Sequence, residues 1–374
     1  MTIQKTLLVL VCLALGGGCG ENRERWPSQV NPDGGRAESA RDSSSLAIVQ
    51  WNLENLFDTE DDPDNKEDDD FTPHAWRQWT EDLYELKLNH LAGVLDEADG
   101  DILCLQEVEN RRVVDDLAAV LRTEFGRHYE YVLHREGTDH RGIDVAVLAN
   151  VKAVSVKWIC PVNEQRDIMI AGFAPSGSKL TVLVNHWKSR WGGEEKSAPL
   201  RMRQAKAVRK EIDRIQKDDP DASIILVGDF NDNVDQASLS DGLKSTSVRS
   251  DVLGDKTGVR FYNLHGELPR HLWGTFYYRK KEVWNSFDSM IVSPSMFWMR
   301  PGRKQWRVKP GTYKVIRLPR HMGETGNPIA FRRYKNKLTD KWEYTRGYSD
   351  HFPVRVELML DDAGQVEVPS AARQ

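Results

Sequence analysis

Short apolar runs recur along the chain, and several end abruptly in polar residues. Residues 47–51 are followed by Asn52 and Glu54, residues 102–105 by Gln106 and Glu107, residues 180–184 by Asn185 and His186, and residues 224–227 by Gly228-Asp229-Phe230-Asn231-Asp232. Runs of this length, bounded by turn formers, predict buried strands. Between them lie stretches with helical spacing. Trp79, Leu83, Leu86, His90, Leu91, Val94 and Leu95 predict a helix over 76–98, and a second is predicted over about 113–124. Strands follow over 129–133 and 143–149. Ser197 and Pro199 read as the N-cap and first turn of a later helix with Met202, Ala205, Val208, Ile212 and Ile215 on its apolar face. The alternating Val354, Val356, Leu358 and Leu360 predict a closing strand with one wet face. Strands alternating with helices define an α/β protein, in which polar groups at strand ends converge on one crevice.

Patterning also divides the chain. Lys5, the apolar stretch 6–15 and Gly16-Gly17-Gly18-Cys19 read as a signal peptide over 1–19, too short to span a bilayer. A Cys after small residues resembles a bacterial lipoprotein signal, with Cys19 as the lipidated residue, although Gly16 stands where that pattern usually has Leu. The expectation is an exported protein, lipid-anchored to a cell-envelope membrane, with plain secretion as the alternative. Residues 20–45 lack apolar periodicity and are rich in Gly, Ser, Asn, Arg and Glu, as in a flexible tether. Residues 46–362 are long enough for one large domain and 363–374 form a tail.

Charge changes the picture locally. With 52 basic and 57 acidic residues the net charge is −5, which excludes a uniformly basic coat. Two basic regions stand out nonetheless. Lys188, Arg190, Lys196, Arg201 and Arg203 follow His186, and residues 300–346 interleave Lys and Arg with Trp306, Tyr313, Phe331, Tyr334, Trp342 and Tyr344. Such a surface either tracks a polyanion or is a solvated insertion covering a sheet edge. The acidic stretch 60–70 lacks the glycine and bidentate Glu of an EF-hand and reads as a solvated loop. Cys104 reads as a buried apolar residue, and a bridge to Cys160 has no support from spacing. No Cys-x-x-Cys or His-x-x-x-His spacing occurs, so any metal is expected on oxygen ligands. His90, His128 and His134 read as surface or packing residues.

Trp51-Asn52-Leu53-Glu54-Asn55-Leu56-Phe57, Leu105-Gln106-Glu107-Val108-Glu109-Asn110, Gly228-Asp229-Phe230-Asn231-Asp232 and Tyr348-Ser349-Asp350-His351 occur in that order. Together they resemble the endonuclease/exonuclease/phosphatase superfamily, the deoxyribonuclease I-like group, over nearly the whole predicted domain. The resemblance implies a four-layer α/β sandwich, two mixed sheets packed face to face with helices outside. It also implies a site. Glu107 matches the principal Mg²⁺ ligand, with Glu54 and Asp350 as further candidates and Mn²⁺ or Ca²⁺ as possible substitutes. Asn52 matches a phosphate-supporting amide, His186 and His351 an acid/base pair, and Asp288 the partner that orients His351. Asp229 and Asn231 match the groups that position the attacking water, while Arg141 and Lys188 are candidate phosphate contacts. The residue types suit the reaction, because a phosphodiester repels hydroxide and needs a hard cation, donors to its oxygens and proton carriers.

The implied activity is metal-dependent phosphodiester hydrolysis, by an exported nuclease acting on DNA or RNA. A sphingomyelinase-like or other phospholipid phosphodiesterase or phosphatase is the alternative, and a non-catalytic binding protein on the same fold is a third. The inositol phosphatase branch is disfavoured, because Trp284-Asn285-Ser286-Phe287-Asp288 replaces its Trp-Cys-Asp-Arg signature. No protein partner is implied.

Overall fold

A computed structural model describes residues 43–63, 65, 68–297 and 303–361. The leader, Cys19, the tether as far as residue 42 and the C-terminal tail lie outside the described residues.

The first part of the domain runs β1 (Ser45–Leu56), α1 (Glu81–Ala98), β2 (Ile102–Val108), α2 (Arg111–Phe125), β3 (Tyr131–Leu133) and β4 (Asp144–Ala149). The second part begins with β5 (Ala153–Ile159), β6 (Ile168–Phe173), β7 (Leu180–His186), α3 (Glu194–Asp218) and β8 (Ile224–Asp229). It continues through β9 (Ser245–Thr246), α4 (Arg249–Leu253), β10 (Phe261–Asn263), β11 (Phe276–Tyr278), β12 (Val283–Asn285) and β13 (Asp288–Val292). Last come β14 (Gln305–Val308), β15 (Lys314–Val315), β16 (Arg333–Lys335), β17 (Trp342–Tyr344) and β18 (Val354–Asp361).

These strands make two large mixed sheets. One has the order β14-β18-β1-β2-β4-β3, with β15 also on β18, and the other β5-β6-β7-β8-β13-β10-β9. At the centre of each lies a parallel pair, β1 with β2 and β7 with β8. Both parallel pairs aim their C-terminal ends, and hence their polar tips, at the same edge of the sandwich.

Alternation along the strands builds three cores. Ile48, Ile102, Cys104 and Val147 of the first sheet pack with Met169, Val182, Ile225 and Val292 of the second. Their neighbours in sequence point the other way. Val49, Trp51, Leu103 and Leu105 meet Leu91, Val94, Val113 and Leu117 of α1 and α2, while Leu183 and Leu226 meet Ala205, Val208 and Ile212 of α3. Helices therefore cover the outer faces, which is the predicted four-layer α/β sandwich. Truncating one of these fully buried side chains, such as Leu226→Ala, costs about 2–5 kcal/mol.

Several local expectations need correction. α1 begins at Glu81 rather than 76, because Trp79 is held ahead of the helix by its Nε1–H bond to the Phe57 carbonyl and by edge contacts with Phe71 and Phe331. α3 begins at Glu194. Ser197 lies inside it, and its hydroxyl donates to the Gly193 carbonyl at 2.8 Å and accepts from the buried Arg201 at 2.7 Å instead of capping. Cys104 is buried and Cys160 exposed, and both are free thiols. In the acidic loop Asp68 is fully buried and accepts from the Asp62 N–H at 2.7 Å, so this loop is anchored rather than wholly solvated. Among the aromatics of the 300–346 region, Trp306, Tyr313 and Phe331 belong to the cores; β14 and β15 extend the first sheet, which is the edge-covering reading.

Candidate active site

Irregular backbone creates the site. The β1–β2 register shifts between Asn52 and Leu56, and the β2–β4 register shifts between Gln106 and Val108. Such bulges re-aim side chains that strict alternation would send into a core. Glu54, Asn55, Glu107 and Asn231 all adopt left-handed backbone, with φ of 53°, 58°, 59° and 50°. Strained conformations of this kind gather where surrounding contacts enforce them and where function uses them. At the tip of β8, Gly228 has φ 145°, and a Cβ there would lie 1.9 Å from the Asn185 carbonyl oxygen. Only glycine lets the two parallel tips approach so closely.

The tips open into a cleft of ≈ 920 Å³. Glu54, Glu107, Arg141, Asp229, Asn231, Asp350 and His351 line it. Asn52 lies buried beneath, where its amide nitrogen donates to Glu107 Oε1 at 3.3 Å and Asp229 Oδ2 at 3.1 Å. Its oxygen accepts from the Glu54 N–H at 3.0 Å, so one amide ties three acidic residues together. Glu107 Oε2 accepts from the Asn55 N–H at 2.9 Å. Asp229 Oδ1 accepts from the Asn231 N–H at 2.8 Å.

His351 Nδ1 lies 2.7 Å from Asp288 Oδ2, and its Nε2 faces Asp229 Oδ2 at 3.9 Å and Asp350 Oδ1 at 3.8 Å. Burial opposes a charge on this imidazole, yet Asp288 and Asp229 outweigh it and hold the pKa well above the ordinary value. His186 differs. Its Nε2 is 3.7 Å from both Glu107 Oε1 and Asp229 Oδ2, its buried Nδ1 has no hydrogen-bond partner among the described residues, and burial with nearby Arg166 and Arg141 pushes its pKa well down. Burial likewise raises Asp229. It opposes the Glu107 charge too, but Arg141, His351 and the Asn52 amide hold that carboxyl below the usual range. Glu54 is pushed up by burial and then by the Asp350 charge.

Of the residues read from sequence, Lys188 does not line the cleft; Arg190, two positions on, does. Arg190 Nε also donates to the Asn231 carbonyl at 2.8 Å. Arg201 is fully buried and pairs with Asp232 at 2.8 Å, so it braces the loop after β8 instead of forming a surface contact. Sequence reasoning missed Gln50, whose amide nitrogen donates to Asp288 Oδ1 at 2.9 Å, and Lys87, whose buried ammonium holds the Glu54 and Asn55 carbonyls. It also missed Phe276, which pairs with His351 across an isolated bridge with ring centroids 4.9 Å apart. An amide amid a strand and a lysine on a helix carry no local signal. Only the motif Asn55, whose side chain bonds Arg141, was within reach.

The donor set fits a hard divalent cation. Glu54, Glu107 and Asp350 turn carboxylates into one cleft; burial raises Glu54 first and the Asp350 charge raises it further, and a bound cation would offset both. Fold and site together define a phosphoester hydrolase of α/β-sandwich architecture. The sequence matches the model of the Endonuclease/Exonuclease/phosphatase family over residues 47–360, and the chain belongs to that family. Its enzymes hydrolyse phosphate esters, typically with divalent metals. Among solved structures, humanized D. rerio TDP2 aligns with TM-score 0.52 and 17% identity, covering 84% of this chain and 99% of that one. SmcL aligns with TM-score 0.51 and 16% identity, covering 85% and 100%. The mannosyl-6-phosphatase of Bacteroides thetaiotaomicron aligns with TM-score 0.50 and 18% identity, covering 84% and 99%. These likenesses concern the fold. No curated protein matches the sequence.

Proposed function

We propose that the protein is a divalent-cation-dependent phosphodiester hydrolase that cleaves nucleic acid by attack of water on phosphorus. The observation that carries this reading is the meeting, in one cleft, of three carboxylates with the His351–Asp288 pair and Asp229. Glu107, with Glu54 and Asp350, would hold Mg²⁺, or Mn²⁺ or Ca²⁺ in its place, and the bound ion would neutralise charge on the phosphoryl group. The protein's own groups do the rest. Asp229, raised by burial and steadied by the Asn231 N–H and the Asn52 amide, orients the water and takes up its proton. His351, kept protonated by Asp288, donates toward the phosphoryl or leaving oxygen, while Arg141 binds a non-bridging oxygen.

Nucleic acid is favoured by the rim. Trp191, 87% exposed, and Tyr278 stand around the cleft with Arg141, Arg190, Lys280 and Lys281, a mixture of cations for phosphates and ring faces for bases. The exposed Val283, which lines the same cleft as Trp191, also suits a lipid interface, and this keeps a phospholipid diester as the second reading. Hydrolysis of DNA, RNA, sphingomyelin and bis-p-nitrophenyl phosphate, with Mg²⁺ or EDTA, separates them. Nucleic-acid cleavage that falls steeply with salt supports the nuclease reading; lipid cleavage insensitive to salt overturns it. The reading includes export with a lipid on Cys19, which mass spectrometry of the mature N-terminus tests.

A further inference from the structure

Away from the cleft carboxylates, the segment that leads into β4 gathers three metal-ligating groups. One donor atom each from His134, Glu136 and Asp144 lies within 4.8 Å of the other two. His134 Nε2 is 3.7 Å from Asp144 Oδ2, and its Nδ1 is 3.7 Å from Glu136 Oε1. The His134 side chain is only 2% exposed, and its Nε2 has no hydrogen-bond partner among the described residues. A buried imidazole nitrogen without a partner, directed at a carboxylate beyond hydrogen-bond reach, lacks a ligand.

The spacing suits an ion between the groups. Bonds of about 2.1 Å in tetrahedral geometry place donors about 3.4 Å apart. His134 Nε2 and Asp144 Oδ2 are 3.7 Å apart, close to that spacing. Glu136, with its donor atom within 4.8 Å of the other two, is exposed and would move in from the Nδ1 side of the ring. Asp144 is buried, and among the described residues it forms no ion pair with Lys or Arg. Its Oδ2 accepts from the Gly137 N–H at 3.0 Å, and a Cβ at Gly137 would lie 2.4 Å from Oδ1, so the chain folds tightly over this carboxylate. Glu136 is 65% exposed and stands at the mouth, which gives an ion its entry path. Arg111, the guanidinium nearest in effect to His134, is bound at 2.9 Å by both oxygens of Asp115.

We propose that His134, Glu136 and Asp144 form a second divalent-metal site, distinct from the cleft, that takes a zinc-like transition ion. Imidazole with two carboxylates selects such ions over Mg²⁺ or Ca²⁺, which prefer all-oxygen shells. The site closes the loop that carries Arg141: Asp144 lies opposite Val108, next to Glu107, and the intervening Asp139 accepts from the Arg141 N–H at 3.0 Å. An ion here would hold the loop, and with it Arg141, against the cleft.

Zn²⁺ titration by calorimetry in a Glu107→Gln background tests this, with hydrogen exchange over residues 134–143 as a second readout. We expect one Zn²⁺ whose affinity falls at least about tenfold in Glu136→Gln and in His134→Gln, and slower exchange when it binds. Glu136 is largely exposed, and Gln keeps an oxygen for the Arg111 backbone N–H at the start of α2, so folding is expected to survive the substitution. Cys160 Sγ lies 3.5 Å from Thr138 Oγ1, and Cys160→Ser is the necessary control. Unchanged affinity in both test variants, loss of binding in the cysteine control, or Ca²⁺ binding as tight as Zn²⁺ would each overturn the proposal.

Discussion

Two buried imidazoles face Asp229 from opposite sheets and are driven in opposite directions. His351 precedes β18 in the first sheet and has a carboxylate at hydrogen-bond distance from Nδ1, so the protein makes it a cation. His186 ends β7 in the second sheet, has no partner on Nδ1 among the described residues and sits among arginines, so it stays neutral. Burial acts against charge in both. The sign is decided by whether a carboxylate lies near enough to outweigh it. Identical side chains, both buried, thus reach opposite charge states, and in the proposed mechanism one is the proton donor and the other a neutral neighbour of the reacting groups.

The comparison breaks most clearly at His351. We expect His351→Ala to lower kcat by about 10³–10⁴-fold, measured as cation-dependent diester hydrolysis, and to lower the melting temperature as well, because it leaves the buried Asp288 unpaired. Asp288→Asn keeps the shape and removes the charge that most raises His351. It should cost about 10²–10³-fold, and the imidazole resonances of His351 should titrate at lower pH than in the parent, as followed by NMR. His186→Gln removes a neutral group and should cost about tenfold; a loss as large as that at His351 would show that the two are equivalent after all.

The last effect concerns stability and leaves activity at neutral pH unchanged. His265 and His321 are buried with no carboxylate at hydrogen-bond distance among the described residues, and burial lowers each to about 4. Their folded pKa lies below the unfolded value near 6.5, so the unfolded chain takes up the proton first as pH falls. Their contribution is complete above pH 6.5 and is lost on acidification toward pH 4, by roughly 1 kcal/mol per unit for each group. Urea midpoints at pH 7.5, 5.5 and 4.5 should show this loss, and His265→Gln should flatten it.

Much of the site was legible because its residues stand at the ends of apolar runs. Asn52, Glu107, His186 and Asp229 stand one or two residues beyond four such runs, and parallel pairing of β1 with β2 and of β7 with β8 brings the ends to one edge. Arg141 was legible for its setting before β4. Lys188 was misplaced because it lies in the irregular segment beyond β7, where no repeat fixes a side chain's direction and where its N–H is tied to the Gln204 side chain of α3, and Arg201 because a charged residue on an amphipathic helix gives no sign of a buried partner such as Asp232. The aromatics of the 300–346 region were ambiguous for a similar reason. Trp306 and Trp342 look alike in sequence, yet one is buried against both sheets and the other half exposed.

Periodicity alone determined that this chain alternates buried strands with helices, because apolar side chains must leave water and can do so only on the face that each element's repeat presents. Tertiary structure decided the charges and the company of the polar groups. A pKa depends on burial and on charges within a few ångströms, and such neighbours come from distant positions: Asp288 beside His351, Asn52 beside Asp229, Asp144 beside His134. No spacing in sequence records those distances, since they exist only after the two sheets have packed.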